Sequence, residues 1–454
     1  MIGIFNKIAF RGGIHLPDEK DKTKGLSIQA IPLPDRVVIP LSQHTGAPCE
    51  PLVKVGDLVK KGQKIGEGKG NITSTVHSSI SGKVIEISPH PHPSGNDILS
   101  IIVESDGKDE WVDNLKENEN YLSIEPEKLK EIIRNAGIVG LGGAQFPTHV
   151  KLSPPKEKEI EYVILNGAEC EPFITSDHRL MIERSSEIIE GLKIIMGILS
   201  VKKGFIGVEN NKLDAISILK SNIKKSNVYN DNKFEIEVVG LNVKYPQGSE
   251  KHLIKSILKR EVPSGKLPMD VGVVVNNIGT AYAVYNAVRY GKPLIERVVT
   301  VTGNGIKEPQ NLLVRIGTSL DFLIQNCGGF TDEPEKVIMG GPMMGVAQYT
   351  LKVPVIKGTS GVVIFSKNSE EIDGKYQSCI RCGRCIANCP MGISPNLYGL
   401  YFERNMVDEA YASNLMDCLE CGICSYACPS NRPVVQFIRQ LKSEVLKKKK
   451  SGKR

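Results

Sequence analysis

The chain has 454 residues, of which 40% are hydrophobic and 24% are charged, with a formal net charge of +7. This length allows about three or four domains of ordinary size. No apolar run approaches the roughly 20 residues that a membrane-spanning helix needs, which excludes an integral membrane protein of that type.

The first segment, residues 1–30, is interpreted as an N-terminal leader. Its start lacks a continuous apolar stretch and a small-residue cleavage site, so we expect the chain to stay on the cytosolic side. Residues 31–115 follow with short β-branched runs separated by glycine turns, as in VGDLVKKGQKIGE and SISGKVIEI. This pattern predicts an all-β domain.

The all-β segment resembles the barrel-sandwich hybrid of lipoyl and biotinyl carrier domains. A carrier presents a lysine at the hairpin turn, but Asn71 falls at that place and Lys69 is out of register. Because a motif counts only in its proper context, we expect no attached prosthetic group.

Residues 120–296 change to apolar spacings of three and four that alternate with β-rich runs, which predicts an α/β domain. A helical pattern ends at Gly137 and leads into GLGGAQFPTHVK, where Gly140, Gly142 and Gly143 are close together. Such glycines let backbone N–H groups approach a ligand phosphate. The motif alone is weak, because many glycine-rich turns are purely structural.

Three further polar loops follow strands or begin helices in the same segment. The strand EYVILNGA is followed by ECEP, the loop YPQGSEKHLI begins a helix, and the strand VGVVVNNIGT ends in two asparagines. Open α/β sheets bind ligands at the carboxyl ends of their strands, so a binding site is predicted there. A helix N-terminal charge is the alternative role for each glutamate, and a solvated surface residue is the alternative for Lys151.

Residues 297–350 form another small unit, with two β-branched runs, a Gly-Asn-Gly turn and an amphipathic helix ending near Cys327. We expect it to serve packing. Met339, Met343 and Met344 are interpreted as core residues, and the isolated Cys49, Cys170 and Cys327 as buried thiols.

Residues 365–446 contain two copies of one cysteine pattern, CIRCGRCIANCP and CLECGICSYACP. The cysteines are Cys379, Cys382, Cys385, Cys389, Cys418, Cys421, Cys424 and Cys428. This spacing predicts two 4Fe–4S clusters, in which the cysteine before each proline ligates the cluster of the other copy. Structural zinc leaves the third and fourth cysteines of each copy unexplained. A disulfide framework would need an oxidising compartment.

The crossed ligand rule assigns Cys379, Cys382, Cys385 and Cys428 to one cluster, and Cys418, Cys421, Cys424 and Cys389 to the other. The segment between the copies has helical spacing, with Leu397, Leu400, Tyr401 and Met406 on an apolar face, and a last amphipathic helix follows Pro429. The basic tail, residues 447–454, is interpreted as a solvated terminus, with contact to an anionic membrane surface as the alternative.

The motifs together resemble a known family. GLGGAQFPTHVK, NGAECEP, YPQGSEKHLI and VVVNNIGTA look like the flavin-binding loops of the NADH-oxidising subunit of respiratory complex I. With FRGGIHLPDEK, the β domain and the paired cluster motifs, essentially the whole chain resembles the family of C subunits of the Rnf complex. The residue 297–350 unit then resembles the β-grasp module of complex I relatives, and the α/β domain is expected to be Rossmann-like.

The resemblance implies two 4Fe–4S clusters and FMN as cofactors, with NAD(H) as substrate. The implied flavin and nicotinamide residues are Gly140, Gly142, Gly143, Phe146, Lys151, Asn166, Glu169, Gly248, Glu250, Asn276, Asn277 and Thr280. Among them, Phe146 would face the nicotinamide, and Cys170 could sense the flavin. The chain departs from the complex I pattern at Ala168 and Ser249, where relatives have acidic residues.

The resemblance also implies a peripheral subunit of a membrane-bound, ion-translocating ferredoxin:NAD oxidoreductase at the cytoplasmic face of the membrane. Its expected partners are other subunits of the complex, with electrons from or to ferredoxin, and no nucleic acid. A flavin is chemically required between a two-electron nicotinamide and a one-electron cluster. The alternatives are a protein resembling cobalamin reductase, and a cluster relay without its own nicotinamide site.

Overall fold

The computed structural model describes residues 10–229, 233–367 and 376–450. A short strand, β1 (Ile28–Ala30), lies in the segment predicted as a leader. It pairs in parallel with a strand of the third domain, so the leader contributes to a sheet that is formed mainly by residues nearly 300 positions later.

The all-β domain consists of two sheets around an apolar core. Its strands are β2 (Arg36–Pro40), β3 (Cys49–Pro51), β4 (Leu58–Val59), β5 (Lys64–Gly68), β6 (Val76–His77), β7 (Gly82–Pro91) and β8 (Asp97–Ser105). One sheet has the order β2-β8-β7-β4 and the other β3-β5-β6, with antiparallel pairing throughout. Val37, Ile39, Ile65 and Ile101 are fully buried between the sheets, as the alternating pattern predicts.

The α/β domain has a parallel sheet covered by helices. Its elements are α1 (Pro126–Asn135), α2 (Thr148–Lys151), β9 (Tyr162–Gly167), α3 (Ser176–Glu183), α4 (Ser185–Ile198), β10 (Lys203–Glu209), α5 (Leu213–Tyr229), β11 (Glu235–Leu241), α6 (Glu250–Leu258), β12 (Val273–Asn277) and α7 (Ile278–Tyr290). Short 3₁₀ turns occur at Tyr121–Ser123 and Pro268–Val271. The strand order β11-β10-β9-β12 is Rossmann-like, because the chain reverses direction across the sheet after β11.

The third domain is a mixed six-stranded sheet with one helix. It contains β13 (Glu296–Gly303), β14 (Gln310–Arg315), α8 (Leu320–Asn326), β15 (Pro334–Met339), β16 (Val346–Ala347) and β17 (Gly361–Ser366). The order is β1-β14-β13-β17-β15-β16, so the sheet extends beyond residues 297–350 on both sides. Met339 and Cys327 are buried as expected, but the Met344 side chain is exposed, which corrects its interpretation as a core residue.

The C-terminal domain is helical. It contains α9 (Arg384–Ala387), α10 (Pro395–Glu403), α11 (Val407–Ala412), a 3₁₀ turn (Leu415–Asp417), α12 (Ile423–Tyr426) and α13 (Val434–Lys450). Residues 447–450, which the sequence assigns to a basic tail, continue α13, and Lys448 pairs with Asp408 at 2.9 Å.

The helical segment between the cysteine motifs is broken into two helices, and its buried face differs from the predicted one. Tyr398, Val407, Ala410 and Leu415 are buried, whereas Leu400 is exposed. The pattern was misleading because the chain turns at Asn405, which adopts a left-handed conformation with φ of 55° and ends the helical period. The described part of the chain contains no helix with the length and apolarity required to cross a bilayer.

Candidate flavin and iron–sulfur site

The carboxyl ends of β9 and β12 bring two of the predicted loops together. Asn166 and Asn277 are register partners at the ends of these neighbouring parallel strands. A Cβ atom added to Gly142 would lie 3.1 Å from the Cβ of Asn277, so the glycine-rich loop passes directly over the strand end. Parallel strands place their carboxyl ends on one edge, which is why loops distant in sequence meet here.

The glycine-rich loop is held in place by Thr280. The backbone N–H of Leu141 donates to the Thr280 Oγ1 atom at 3.0 Å, and Thr280 is fully buried. Gly142 and Gly143 are exposed, and Gly143 has a φ of 131° with no described atom within 4 Å of an added Cβ. The loop therefore presents an open stretch of backbone, as a phosphate or ribityl chain would require.

Asn276 has an unused donor. Its side chain is 3% exposed, and its Nδ2 atom has no hydrogen-bond partner within the described ranges. Leaving such a group unpaired is costly, so a buried amide without a described partner near the carboxyl end of β12 fits a bound polar ligand. The residues at this edge therefore fit FMN.

The other asparagines are occupied by the protein. Asn277 Oδ1 accepts from Gly279 N at 2.8 Å and caps α7, while its Nδ2 donates to Asp177 at 2.6 Å. Asn166 Nδ2 donates to the Gly248 carbonyl at 2.7 Å. These two residues fix the shape of the site, because Asn277 binds the first turns of α3 and α7 and Asn166 binds the loop that contains Gly248.

Glu169 lies at a helix N-terminus. Its carboxylate accepts from the backbone N–H of Asp177 at 2.6 Å and of His178 at 3.3 Å, and its side chain is 4% exposed. This is the arrangement that the alternative interpretation of the glutamates predicted. Burial raises the pKa of Glu169 to about 7, against the opposing effect of the Lys20 ammonium group 3.8 Å away.

Lys151 and Glu250 form an ion pair across two loops. The Lys151 Nζ atom lies 2.5 Å from Glu250 Oε1, and the two side chains are 24% and 43% exposed. The pair joins α2, just after the glycine-rich loop, to the first residue of α6. Phe146 is half-buried, and its backbone carbonyl accepts from Gly140 N at 2.9 Å, which closes the glycine-rich turn.

Two buried lysines that the sequence did not identify as functional support the loop after β9. Lys20 donates to the carbonyls of Glu169 and Glu171 at 3.0 and 2.9 Å and also to that of Ile174. Lys212 donates to the Ala168 carbonyl at 2.8 Å. Burial lowers the pKa of Lys20. The only sequence signal was the position of Lys20 in FRGGIHLPDEK, since nothing local indicates a partner about 150 residues away.

The β domain also contacts the glycine-rich loop. Thr45 Oγ1 donates to the Ala144 carbonyl at 2.6 Å, and Thr45 N donates to the Gln145 carbonyl at 3.1 Å. Lys357, fully buried, donates to the carbonyls of Thr75 and Gly137 at 2.7 Å each, so it joins three domains.

The two cysteine motifs adopt the same backbone conformation. Arg381 and Glu420 have φ values of 56° and 55°, and Gly383 and Gly422 have values of 75° and 79°. One turn of helix follows in each copy, α9 and α12. The Glu420 N–H donates to Cys418 Sγ at 3.3 Å, the kind of hydrogen bond that tunes an iron–sulfur centre.

Thiols of the two cysteine motifs affect one another's pKa values. The pKa of Cys421 is raised to about 12, first by burial and then by the charges of Cys418 and Cys389. The pKa of Cys424 is also raised, first by burial, then by Cys418 and Cys421 of its own copy and by Cys385 and Cys389 of the first. Thiols of the first copy are thus close enough to those of the second to affect their pKa values, and the crossed assignment of the ligands stays a prediction. Among the described side chains, no group of three or more His, Cys, Asp or Glu residues is arranged to hold a single metal ion.

The second cysteine motif packs against the loops of the flavin site. Cys421 and Ile423 form a buried cluster with Tyr245, and Cys170 and Met343 pack against it. The Tyr245 hydroxyl donates to the Cys421 carbonyl at 2.8 Å. Cys170, in the loop after β9, accepts from Gly248 N at 3.3 Å, and burial raises the pKa of its thiol. By contrast, Cys379 and Cys382 are exposed.

These features define a class of electron-transfer proteins that combine a flavin domain with two iron–sulfur clusters. Family models agree domain by domain. Residues 133–286 match the Nuo51 FMN-binding domain and residues 378–432 match the 4Fe–4S dicluster domain. Residues 8–108 match the RnfC barrel sandwich hybrid domain, and residues 298–347 match the SLBB domain. The predicted fold classes and the predicted FMN and cluster cofactors are thereby confirmed.

Similar proteins identify the family. The chain is 49% identical over 437 residues to the C subunit of the proton-translocating ferredoxin:NAD(+) oxidoreductase complex of Clostridium ljungdahlii, covering 96% of this chain and 94% of that protein. It is 47% identical to the Na(+)-translocating counterpart of Acetobacterium woodii, covering 98% of both chains. The C subunit of an ion-translocating oxidoreductase complex of Rhodobacter capsulatus is 43% identical, with 96% of this chain and 83% of that protein covered. The chain belongs to the family of Rnf complex C subunits.

Solved structures support the fold. An NAD+-reducing [NiFe]-hydrogenase in its H2-reduced state aligns with a TM-score of 0.52 at 18% identity, covering 70% of this chain. The air-oxidised state gives 0.51 at 17% identity. The chain spans about 62% of the length of those chains, and at this identity the likeness concerns the fold alone.

Proposed function

We propose that the chain is the peripheral electron-transfer subunit of a membrane-bound, ion-translocating ferredoxin:NAD oxidoreductase. It exchanges hydride with NAD(H) at its flavin site and single electrons through two 4Fe–4S clusters. The names of the relatives, each the C subunit of an ion-translocating oxidoreductase complex, support this role. The observation that carries the proposal is the packing of Cys421 against the loops of the predicted flavin site.

Bound FMN would supply the conversion between hydride transfer and one-electron transfer. The exposed backbone of Gly142 and Gly143 would let the phosphate and ribityl chain approach, and Asn276 Nδ2, which has no partner among the described residues, would provide a donor. Thr280 and Asn277 keep the loop and the start of α7 in place. Glu169 acts through α3, whose N-terminus it caps, and in this way it keeps the loop after β9 in position.

The nicotinamide is proposed to enter between Phe146 and the Lys151–Glu250 pair. Glu250 is the more exposed member of the pair, so its carboxylate is free to accept hydrogen bonds from ribose hydroxyls when the pair opens. Lys151, released from Glu250, would then face the FMN phosphate. Gly140 and Gly248 shape the two loops around this opening, at the turn before Phe146 and beside Cys170.

The second cysteine set, Cys389, Cys418, Cys421 and Cys424, is proposed to hold the cluster nearer the flavin, which we call the inner cluster. Cys379, Cys382, Cys385 and Cys428 would hold the outer cluster. Burial of Cys421 and Cys424 and exposure of Cys379 and Cys382 support this order. Electrons would pass between the flavin site and the protein surface through the two clusters in turn.

The chain is proposed to lie at the cytoplasmic face of the membrane, where partner subunits hold it. The chain is almost equally similar to relatives named for proton and for sodium translocation, at 49% and 47% identity. This is expected if the ions cross in other subunits. The N-terminal position of the barrel, residues 8–108, is the feature that favours this role over the interpretation as a cobalamin reductase.

An anaerobic titration with NADH tests the proposal against a relay without a nicotinamide site. The purified protein is supplied with FMN, its clusters are reconstituted, and flavin and cluster absorbance are followed together. Bleaching of both bands by NADH is expected, with slower bleaching in Glu250→Ala. Bleaching of the clusters by dithionite alone would favour the relay.

A further inference from the structure

The two cysteine motifs offer an internal comparison, because the same loop has different surroundings in each copy. In the inner loop, a Cβ added to Gly422 would lie 2.6 Å from the Met343 carbonyl, so the third domain closes on that face. In the outer loop, the corresponding Gly383 has no atom of the described chain within 4 Å of an added Cβ. One copy is therefore docked against the protein itself, whereas no atom of the described residues covers Gly383 in the other.

The charged side chains of the two loops also differ in whether they pair with the rest of the protein. Glu420, in the inner loop, pairs with Lys442 at 2.8 Å and with Arg439 at 3.3 Å. Its counterpart in the outer loop is Arg381, which is exposed, as is Arg384. Neither arginine forms an ion pair within the described residues.

Apolar side chains accompany these arginines. Ile380 is 66% exposed and Ile386 is 42% exposed, whereas Ile423 of the inner motif is 1% exposed. We define the outer cluster face as Ile380, Arg381, Gly383, Arg384 and Ile386. Apolar residues flanked by unpaired arginines are typical of a surface that binds a protein partner.

A groove beside this face reaches a predicted cluster ligand. It has a volume of about 590 Å³, and its lining includes His15, Arg384, Tyr426 and Cys428. Tyr426 is itself 59% exposed. A partner seated over the face would thus lie against the outer cluster, with its nearest approach along the groove.

We infer that the outer cluster face docks a small, acidic, ferredoxin-type carrier protein that holds a one-electron redox centre. Charge complementarity with Arg381 and Arg384 selects the acidic partner. The outer cluster, held by Cys379, Cys382, Cys385 and Cys428, would exchange one electron with the carrier, and no proton or bond change would be required. The inference rests on the proposed function, since it supplies the partner for the outer end of the electron path.

Binding tests the inference without relying on activity. The cluster-reconstituted, FMN-loaded protein is titrated with a fluorescently labelled, acidic two-cluster bacterial ferredoxin, oxidised, at low and high ionic strength. The double variant R381E/R384E is expected to weaken binding about tenfold or more at low salt, and by less at high salt, because exposed charges are screened.

A matched control carries the same change in net charge elsewhere. Lys54 and Lys83 are exposed on the β domain, and K54E/K83E is expected to bind the ferredoxin as the unmodified protein does. A milder variant, R381Q/R384Q, guards against cluster loss, and iron content and absorbance confirm loading in each protein. Equal affinity in R381E/R384E and the unmodified protein would overturn the inference, as would an equal loss in the control.

A second measurement, the reduction of the flavin by NADH, separates this inference from the proposed function. NADH-driven bleaching of the flavin should be unchanged in R381E/R384E, because the nicotinamide enters at the other end. If NADH fails to reduce even the unmodified protein while ferredoxin binding still depends on the two arginines, the nicotinamide part of the proposed function fails and the docking surface stands.

Discussion

The hydroxyl of Tyr245 donates a 2.8 Å hydrogen bond to the backbone carbonyl of Cys421, a predicted ligand of the inner cluster. Tyr245 is 2% exposed and lies just before the Gly248–Glu250 stretch of the predicted flavin site. One buried side chain therefore links the flavin domain to the cluster loop. Because a buried, satisfied hydrogen bond favours one arrangement of its partners, Tyr245 holds the Cys421 loop in position against the flavin domain.

Replacing Tyr245 by phenylalanine tests this link. The change leaves the Cys421 carbonyl unsatisfied, and we expect it to lower the free energy of unfolding by about 1 to 2 kcal/mol. It should also slow NADH-driven cluster reduction while leaving FMN content unchanged. Tyr349→Phe is the control, since that hydroxyl lies on a 63% exposed side chain. Identical unfolding curves for Tyr245→Phe and the unmodified protein would argue against the link.

Because the Asn276 Nδ2 atom has no partner in the described part of the chain, a substitution there should have opposite effects on FMN affinity and on apoprotein stability. Asn276→Leu removes a buried donor without a described partner, so apoprotein stability should be retained or increased, while FMN affinity falls about tenfold. Fluorescence titration gives the affinity, and denaturant unfolding gives the stability.

Asn277→Ala provides the contrast at the next position. It removes the cap of α7, so apoprotein stability should fall by about 1 kcal/mol. If Asn276→Leu instead destabilised the apoprotein and left FMN affinity unchanged, Asn276 would have a structural role only.

The burial of Lys357 should make the free energy of unfolding depend on pH. Burial lowers the pKa of Lys357 to about 8 in the folded protein, from 10.5. The protonated amine thus opposes folding below about pH 8. As the pH rises from 8 to 10.5 the unfolded state binds more protons than the folded state, so the contribution of Lys357 to stability becomes more favourable.

Lys357→Met isolates this effect because methionine does not titrate. The free energy of unfolding of the unmodified protein minus that of the variant should increase between pH 8 and 10.5, as measured by urea denaturation. A constant difference across that range would show that Lys357 keeps an ordinary pKa in the fold.

The contact of Thr45 with the glycine-rich loop leads us to expect that the β domain contributes to flavin binding. Thr45→Val removes the hydroxyl that donates to the Ala144 carbonyl and should weaken FMN binding several-fold, since one net hydrogen bond is worth about 1 kcal/mol. Thr45→Ser keeps the hydroxyl and should retain most of the affinity. Equal losses in both variants would point to packing in place of the hydrogen bond.

The cluster type and the meeting of the polar loops could both be predicted from the sequence, but for different reasons. The cysteine spacing is local, so the motif alone indicates the cluster type. The loops could be placed together because the carboxyl ends of parallel strands share an edge, as Asn166 and Asn277 do. Which asparagine would be free could not be predicted, since it depends on the partners Asp177 and Gly248.

Other features depend on contacts between distant segments. Lys20 and Lys357 have partners about 150 and more than 200 residues away, and no local pattern distinguishes them from surface lysines. Likewise, β1 pairs with β14 across most of the chain. The sequence pattern did not predict the break between α10 and α11, because the spacing of apolar residues does not reveal a single left-handed residue such as Asn405.

The order of the clusters is the central claim, and two cysteine variants test it most directly. Cys421→Ser should remove the inner cluster and Cys382→Ser the outer one, and dithionite-reduced electron paramagnetic resonance spectra identify the cluster that each variant retains. After anaerobic addition of NADH, the Cys382→Ser protein should show a reduced inner cluster, whereas the cluster that remains in Cys421→Ser should stay oxidised. Reduction of the outer cluster by NADH at the unmodified rate in Cys421→Ser would contradict the account.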